Sequence, residues 1–355
     1  MSEKDFLSRK PSLNIEHGEV SCFAPSNIAL VKYWGKHGLQ LPKNPSISFT
    51  LNKCRTITRV VFDKKESKGF DFEVFLDGGK TDSFKPKIQT FFERALPYLP
   101  FLEDYRFEIH TENSFPHGSG IASSASGMAA LAMCLIEIEK KLLSENPPTH
   151  KASFLARLGS GSACRSIEGG LVVWGKHPKI EKSTDLYGIS YPYEVHQVFK
   201  NFQDTVLLID EGEKSVSSTV GHDLMKQHFF AEKRFEQAGE NLEKMIPILR
   251  QGDLNGFINI VENEALSLHA MMMTGNPGYI LMKPNTLKVI EEIREFRKMN
   301  SANICFTLDA GANVHVLYPY SEREIIQVFI KEKLAGYCQN RNFIEDSVGT
   351  GAECL

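Results

Sequence analysis

Apolar and polar residues alternate along short stretches of the first half of the chain, which is the pattern of half-buried β-strands. In Phe70–Leu76 the apolar side chains at positions 70, 72 and 74 alternate with acidic ones, and Asp77-Gly78 then signals a hairpin turn. The same alternation predicts a strand at Tyr105–His110. A helical pattern is predicted at Lys87–Tyr98, and further strands are predicted at Thr56–Phe62 and Leu171–Trp174.

Longer helical repeats dominate the second half of the chain, after a short apolar strand at Thr205–Asp210. The polar, proline-containing stretch 176–200 is the expected boundary between an N-terminal domain of residues 1–195 and a C-terminal domain of residues 196–355. Strands come first and helices later, so we expect the α+β class. The helices are predicted at about His222–Gln251, Leu254–Met273, Asn285–Met299 and Glu322–Lys333, with strands Ile304–Leu308 and Val314–Tyr318 between the last two.

Composition and charge narrow the range of partners. With 355 residues, of which 42% are hydrophobic and 24% charged, the chain is long enough for two globular domains. Its 41 basic and 44 acidic side chains give a net charge of −3, which indicates neither nucleic acid nor a membrane surface as the main partner. A small anionic ligand would need basic residues that gather locally.

The cysteines and the N-terminus give indications of the cellular compartment of the protein. The seven cysteines are scattered, odd in number and without a CxxC pair, so we expect neither a zinc site nor a disulfide framework. The polar start of the chain predicts no signal peptide, and no apolar stretch is long enough to span a membrane. A reducing cytoplasm suits these features best.

The loop Ser114–Gly127, with the sequence SFPHGSGIASSASG, connects the Tyr105–His110 strand to a helix that is predicted to run to about Leu143. Glycines let a backbone approach an anion closely, and the first turn of a helix offers unpaired N–H groups. Such a loop is typical of a phosphate site, although it also serves tight packing alone. It lacks the Gly-Lys-Ser/Thr ending of a Walker A loop, and Ser123 stands where the dinucleotide fingerprint needs its third glycine.

Three other segments carry candidate chemistry. Lys32 and Lys36 bracket two aromatic residues in APSNIALVKYWGK, which indicates either a lysine clamped in a partly dry pocket or a solvated face. The run Gly159–Ser162, with Arg165 behind it, is either a second anion site or an ordinary turn. Asp309 follows an apolar strand in a glycine-containing loop, where a carboxylate is either catalytic or a turn former.

The segments APSNIALVKYWGK, SFPHGSGIASSASG, GSGSACRS and TLDAGAN occur in this order, with VSST at 216–219 as a further match. In wording and order they resemble the diphosphomevalonate decarboxylase family of the GHMP superfamily, over about Cys22 to Gly351. The resemblance implies a two-domain GHMP kinase fold with an N-terminal ribosomal-protein-like β-α domain and a C-terminal ferredoxin-like α/β sandwich. The active site would lie in the cleft between the domains, and a homodimer is implied.

The resemblance also implies a reaction of the mevalonate pathway of isoprenoid biosynthesis. Mg-ATP phosphorylates the tertiary 3-hydroxyl of (R)-5-diphosphomevalonate, after which phosphate leaves and carbon dioxide is lost, giving isopentenyl diphosphate, ADP and phosphate. A tertiary alcohol is a poor nucleophile, so a carboxylate must orient or deprotonate it. Asp309 matches the family's catalytic aspartate, and Lys32 matches the lysine that keeps this aspartate ionised.

Binding roles carry over residue by residue. Asn27 is expected to fix the Lys32 segment, and no direct metal ligand is assigned, although Ser123 or Ser124 could hold a metal-bound water. His117, with the two residues after it, replaces the usual Thr-Ala-Ala, and it either contacts a phosphate or is only solvated. The implied ligands of the substrate are Tyr33, Lys36, Ser160, Gly161, Ser162 and Arg165. The implied ligands of ATP are Gly118, Ser119, Gly120, Ala122, Ser123, Ser124 and Ser218.

Three alternatives stay open. A phosphomevalonate decarboxylase would act on the monophosphate. It would differ in how far the basic residues extend toward the phosphate groups of the substrate. A mevalonate 3-kinase would phosphorylate without decarboxylating, which the presence of both Lys32 and Asp309 disfavours. A non-catalytic GHMP-fold binding protein is expected to have lost the catalytic pair or the phosphate loop, and this chain keeps both.

Overall fold

The computed structural model describes residues 1–9, 13–116, 121–212 and 218–355, and the side chains of Ser218 and Thr219 lie outside this description. Within these ranges, no helix combines the length and the apolar character that crossing a membrane requires. Strands dominate the first half and long helices the second, so the predicted α+β class is confirmed.

Hydrogen-bonded strands form three sheets within the described part of the chain. The strands, in chain order, are His17–Val31 (β1), Lys36–His37 (β2), Leu41–Pro42 (β3), Ser46–Lys64 (β4), Asp71–Leu76 (β5), Gly79–Lys80 (β6), Tyr105–Asn113 (β7), Leu171–Trp174 (β8), Ile189–Ser190 (β9), Gln203–Leu207 (β10), Cys305–Thr307 (β11), Val314–Tyr318 (β12), Phe343–Ser347 (β13) and Glu353–Cys354 (β14). The α-helices are Lys85–Ala95 (α1), Ser123–Leu143 (α2), Lys151–Gly159 (α3), Gln197–Lys200 (α4), Ser218–Leu224 (α5), Ala231–Gln251 (α6), Leu254–Met273 (α7), Pro284–Asn300 (α8) and Arg323–Glu332 (α9).

The first sheet has eight strands among the described residues, and its centre is the antiparallel pairing of the long strands β1 and β4. Its order is β14-β1-β4-β7-β5-β6, and β8 pairs with the first part of β4 and with β9. All the strands predicted in the first half lie in this sheet. The predicted hairpin turn joins β5 to β6, where Asp77 and Gly78 have φ angles of 49° and 79°.

Helix α2 packs against β1 and β4 and carries the first turn that the phosphate site would need. Its buried side chains at 125, 129 and 132 are alanines, whose small size lets the helix approach the strands closely. Helix α1 begins at Lys85 and ends at Ala95, so it is displaced from the predicted Lys87–Tyr98. Pro86 favours the earlier start because its missing N–H would have no partner in the first turn of a helix.

The second sheet has four antiparallel strands in the order β11-β12-β10-β13, and helices α7 and α8 pack against it. The prediction of one helix over His222–Gln251 is wrong in its first part, because α5 ends at Leu224 and α6 begins only at Ala231. His228 interrupts the helix, since its backbone is extended and its Nδ1 accepts a hydrogen bond from the N–H of Phe230. The sheet begins at Gln203, and the domain boundary at residue 195 stays a prediction.

The last strand of the chain returns to the first sheet. β14 pairs with β1 and places Cys354 opposite Cys22, and these two cysteines form a disulfide across 332 residues of sequence. This disulfide contradicts our expectation, because strand pairing brought together two cysteines whose spacing along the chain carries no signal. The other five cysteines are free and buried.

Asp346 joins the two large sheets. It lies in β13 of the second sheet, and its buried carboxylate accepts hydrogen bonds from the backbone N–H groups of Asn52, Lys53 and Cys54 at 2.9, 2.8 and 2.7 Å. These donors lie where the pairing of β4 with β1 is interrupted, so β1 does not accept their hydrogen bonds. The carboxylate therefore satisfies one buried and two partly buried backbone groups of one sheet from a strand of the other.

We expect Asp346→Ala to lower the free energy of unfolding by about 3 kcal/mol, because it leaves the buried N–H of Cys54 and two partly buried N–H groups without an acceptor. Urea unfolding followed by circular dichroism measures this change. Asp63→Ala is the matched control, since Asp63 is an exposed residue of the same strand β4 whose side chain contacts His17, and we expect a loss below about 0.5 kcal/mol. Equal losses in the two variants would contradict the role of Asp346.

Candidate active site

A cavity of about 460 Å³ lies between the first sheet and the helices of the C-terminal half. Both halves of the chain line it, with residues from β1, the first turn of α2, the segment 160–165, α5, α7 and the loop after β11. One part of the wall carries Lys32, Arg165 and Asp309. Another part is apolar and is formed by α1, β5, β7 and α2, with the side chains Val74, Leu76, Phe84, Ile88, Ile109 and Leu131.

Lys32 and Asp309 form an ion pair on the cavity wall, although 277 residues separate them in sequence. Lys32 Nζ lies 3.0 Å from Asp309 Oδ1, and 2% of the Lys32 side chain is exposed against 25% of the Asp309 side chain. Burial lowers the pKa of Lys32, and the Asp309 carboxylate counteracts this effect because it stabilises the ammonium form. A ligand in the cavity can therefore reach the exposed side of Asp309 while the lysine stays covered.

The main chain of Asp309 is held in place by a hydrogen bond from α7. It lies two residues after the end of β11, and its carbonyl oxygen accepts a hydrogen bond from Nε2 of His269 in α7 at 3.1 Å. Burial lowers the pKa of His269 to about 4, so the ring is neutral at pH 7 and carries its proton on Nε2. Sequence reasoning missed His269, because a histidine on an apolar helix face gives no sign of its partner.

The main chain of Lys32 is held from both sides. Its N–H donates to Oε2 of Glu264 in α7 at 2.8 Å, and its carbonyl accepts from Nδ2 of Asn44 at 2.9 Å. Glu264 is fully buried and is itself paired with Arg234 and bonded by Asn241 from α6. This network places the ammonium group of Lys32, and no motif in the sequence pointed to it.

Arg165 is buried rather than exposed on a turn. Its Nη1 donates to Ser46 Oγ at 2.7 Å and its Nε donates to Ser48 Oγ at 3.0 Å, and its side chain lines the cavity. Asn27 bonds the segment that carries Arg165, because its Nδ2 donates a hydrogen bond to Ser166 Oγ at 2.8 Å. Asn27 thus ties β1, the strand that leads to Lys32, to residues 162–166, whereas Asn44 and Glu264 bond the main chain of Lys32 itself.

Tyr33 has a phenol group that is available to a ligand. Its ring packs against Trp174 at 4.6 Å between centroids and its hydroxyl is buried without a hydrogen-bond partner among the described residues. Gly161 leaves room for this ring, because a Cβ at that position would come within 2.9 Å of the phenol oxygen. An unpaired buried hydroxyl on a cavity wall is suited to bind a polar group of a ligand.

The first turn of α2 offers backbone donors to the cavity. Ala122 precedes the helix in a left-handed conformation with φ 49°, and no side chain caps the helix end. Ser123 and Ser124 line the cavity, and Lys87 of α1 donates from Nζ to Ser124 Oγ at 2.8 Å. Burial, with a smaller effect of Lys36, lowers the pKa of Lys87 to about 8. Sequence reasoning missed Lys87, because it lies on a helix without a recognisable motif.

The structure brings most of the predicted site residues to one cavity. The predicted residues that line it are Lys32, Tyr33, Ala122, Ser123, Ser124, Ser160, Ser162, Arg165 and Asp309. Gly161 lies behind Tyr33, and Lys36 lies outside the lining but close enough for its charge to act on Lys87 and on His222. His117, Gly118, Ser119 and Gly120 lie outside the described residues, as does the side chain of Ser218.

The described residues contain no group of three histidine, cysteine, aspartate or glutamate side chains that could hold a metal ion by itself. Magnesium in nucleotide sites is bound mainly by phosphate oxygens and water, with few protein ligands. The hydroxyl groups of Ser123 and Ser124 at the start of α2 suit a metal that arrives with a nucleotide.

Two family descriptions of known proteins match this chain. Residues 24–185 match the diphosphomevalonate decarboxylase-like N-terminal domain, and residues 205–351 match the mevalonate 5-diphosphate decarboxylase C-terminal domain. A diphosphomevalonate decarboxylase of Gibberella zeae is 31% identical over 335 residues, covering 89% of this chain and 85% of its own length. The enzyme of Saccharomyces cerevisiae with the same name is 30% identical over 318 residues, covering 86% and 78%.

Solved structures agree with these matches. A mevalonate diphosphate decarboxylase from Staphylococcus aureus superposes with a TM-score of 0.82 at 28% identity, covering 96% of this chain and 98% of that chain. A complex of MDDEF with MVAPP, AMPPCP and magnesium also gives a TM-score of 0.82 at 28% identity, covering 96% and 99%.

The fold and the cavity together define a two-domain enzyme of the GHMP kinase type, as predicted. Within that class, this chain belongs to the diphosphomevalonate decarboxylase family.

We expect Glu264→Gln to lower the free energy of unfolding by about 3 kcal/mol, because it leaves the buried Arg234 without a charged partner. The guanidinium Nε and Nη1 already lack partners among the described residues, so the group depends strongly on this carboxylate. Thermal and urea unfolding measure the loss. Glu291→Gln, which breaks an exposed pair with Lys288, is the control and should change stability by less than about 0.5 kcal/mol. A small loss in both variants would contradict the network.

Proposed function

We propose that this protein is an ATP-dependent diphosphomevalonate decarboxylase, which converts (R)-5-diphosphomevalonate into isopentenyl diphosphate. The observation that carries the proposal is the Lys32–Asp309 ion pair on the wall of a cavity that both halves of the chain enclose. The family to which the chain belongs and the relatives named for this reaction support the same substrate.

Asp309 acts on the tertiary hydroxyl of the substrate. Its half-buried carboxylate accepts the hydroxyl proton as the oxygen attacks the terminal phosphate of ATP. Lys32 keeps the carboxylate ionised through the 3.0 Å ion pair, so that Asp309 can act as an acceptor at neutral pH. The covered ammonium group also offsets the negative charge that gathers on the phosphates and on the substrate carboxylate.

The second half of the reaction needs little from acid or base groups. Once the 3-hydroxyl carries a phosphate, the carbon–oxygen bond breaks and phosphate departs with the electron pair. The carbon–carbon bond to the carboxylate then supplies the electrons of the new double bond, and carbon dioxide leaves. Arg165 and Tyr33 hold the anionic groups of the substrate, the first by its charge and the second by its unpaired hydroxyl.

ATP binds where the first turn of α2 meets the apolar wall. The N–H groups of this turn, with Ser123, Ser124 and Lys87, face the phosphates, and the apolar residues of α1, β5 and β7 cover the base. Ser218 at the start of α5 approaches the phosphates from the other half of the chain. The hydroxyl of Ser123 or Ser124 would hold magnesium through a water molecule, and the ion would supply positive charge that offsets the charge of the phosphates.

Cytoplasmic location, a homodimer and the domain boundary at residue 195 belong to the proposal as well. The five free, buried cysteines support a reducing compartment, whereas the Cys22–Cys354 disulfide favours an oxidising one. Mass spectrometry of the protein isolated with its thiols blocked would distinguish the two states of this pair.

A coupled ATPase assay with carbon dioxide detection tests the function. We expect ADP, phosphate and carbon dioxide in equal amounts with diphosphomevalonate, and far less turnover with mevalonate or its monophosphate. Preference for the monophosphate would instead support a phosphomevalonate decarboxylase. ADP without carbon dioxide would support a 3-kinase, and no ADP with any of the three compounds would support a non-catalytic binding protein.

We expect Asp309→Asn to lower kcat by about a thousandfold, because the amide cannot accept the hydroxyl proton. The same coupled assay measures the loss, and circular dichroism checks that the variant is folded. The matched control is Asp223→Asn, which changes an exposed aspartate that is paired with Lys226, and it should keep kcat within about threefold. Normal turnover in Asp309→Asn would remove Asp309 from the mechanism.

We expect kcat/KM for ATP to fall above about pH 8, where Lys87 loses its proton and its attraction for the phosphates. The sign follows from its pKa, because the lysine is cationic below about 8 and neutral above it. Lys87→Met should give a lower value without this step. Lys85→Met is the control on the same helix, since Lys85 pairs with Asp82 and does not line the cavity, and the step should persist in it. A wild-type profile in Lys87→Met would contradict the assignment.

A further inference from the structure

His222 of α5 lies on the wall of the cavity between two aromatic residues of the N-terminal half. Its ring centroid is 4.3 Å from that of Tyr33 and 4.6 Å from that of Trp34, with tilts of 36° and 38°. It is 9% exposed, so the ring is almost entirely surrounded by protein. The substrate turn, by which we mean residues 33–36, is therefore packed against a helix of the other half of the chain.

One hydrogen bond fixes the chemical form of the ring. The backbone N–H of Gly35 donates to Nδ1 of His222 at 2.9 Å. Since Nδ1 accepts this bond it carries no proton, and a neutral ring must then hold its proton on Nε2. Among the described residues, His222 is the acceptor for this N–H, which would otherwise be a buried donor without a partner.

The surrounding charges favour the neutral ring. Burial lowers the pKa of His222 to about 3, and the positive charges of Lys36 and Arg165 act in the same direction. Asp223, the next residue of α5, opposes them with an effect on this pKa that is smaller than that of Lys36. The ring therefore remains an acceptor over the physiological pH range.

Two glycines let the turn and the helix approach each other at this contact. Gly35 has φ 92°, a left-handed value that side chains rarely adopt, and this conformation aims its N–H at the imidazole. A Cβ at Gly221 would lie 2.5 Å from the ring of Trp34, so α5 needs glycine there in order to approach the turn. The turn and the helix thus meet along three consecutive residues of the turn.

We propose that His222 is a positioning residue for substrate binding: its unprotonated Nδ1 holds the main chain of the substrate turn, so that Tyr33 stays on the cavity wall and Lys36 stays beside it. The inference rests on the proposed function, because those two residues are taken to bind the anionic groups of diphosphomevalonate. The contact between Gly35 and His222 also connects the substrate turn to α5, the helix that begins at Ser218. The turn proposed to bind the substrate and the helix proposed to approach ATP therefore share one contact between the two halves of the chain.

Three variants separate the hydrogen bond from the packing of the ring. Asparagine places an amide oxygen near the position of Nδ1, phenylalanine keeps the ring without an acceptor, and glutamine moves the amide beyond Nδ1. We expect His222→Phe and His222→Gln to raise KM for diphosphomevalonate about tenfold with kcat within about threefold, and His222→Asn to stay within about threefold in both. His228→Asn is the control, since that histidine accepts a similar bond from Phe230 but does not line the cavity.

Two kinetic results would overturn the inference. A wild-type KM in His222→Phe together with a raised KM in His222→Asn would show that ring packing alone matters. An unchanged KM in all three variants would show that the contact has no part in substrate binding.

Nitrogen-15 NMR of the wild-type protein tests the same point without any turnover, so it separates this inference from the proposed function. The His222 signals are those that disappear in His222→Asn. We expect an unprotonated Nδ1 and a protonated Nε2, unchanged between about pH 8 and pH 5.5. A proton on Nδ1, or a titration centred near 6.5, would overturn the inference. If this NMR pattern holds while diphosphomevalonate is not turned over, the proposed function fails and the tautomer assignment stands.

Discussion

The ion pair between the buried Lys32 and the half-buried Asp309 is the constraint on which the rest of the structure depends. Taking the ammonium group of Lys32 out of water costs several kcal/mol, and only close and well-supported geometry with Asp309 offsets this cost. The pair is supported from behind, because Glu264 binds the main chain of Lys32 and His269 binds the main chain of Asp309. Both supports come from α7, so this one helix sets the distance between the two charges.

The pair also explains why the chain needs both of its halves. Lys32 directly follows β1 of the first sheet, whereas Asp309 lies two residues after β11 of the second sheet. The two sheets must then be held at a constant separation, and Asp346 does this by bonding the interrupted part of β4. A loss of this junction would disturb the site even though Asp346 does not line the cavity.

The cavity favours anionic ligands because basic side chains gather on its wall. The chain as a whole has a net charge of −3, yet Lys32, Arg165 and Lys87 stand together on the cavity wall with Asp309 as the acidic residue among them. Where they are partly buried, such cations bind phosphate and carboxylate groups more strongly than exposed ones do. The apolar wall beside them suits a flat base, so the two parts of the cavity match the two parts of a nucleotide.

Local patterns in the sequence determined the elements and the identity of the chemical groups. The alternation in Phe70–Leu76 and the glycine-rich loop before α2 are short-range signals, and the chemistry of Asp309 and Lys32 is a property of those residue types. The break at His228 was missed because one side-chain bond to a neighbouring N–H overrides the helical pattern around it.

The tertiary structure alone decided which residues meet. Lys87, His222, Glu264 and His269 act through partners far away in the chain, and no spacing rule links such pairs. The same reason applies to Cys22 and Cys354, which strand pairing placed opposite each other. Sequence determined what each group can do, and the packing of two sheets around α7 decided where it does so, because long-range contacts depend on the whole fold.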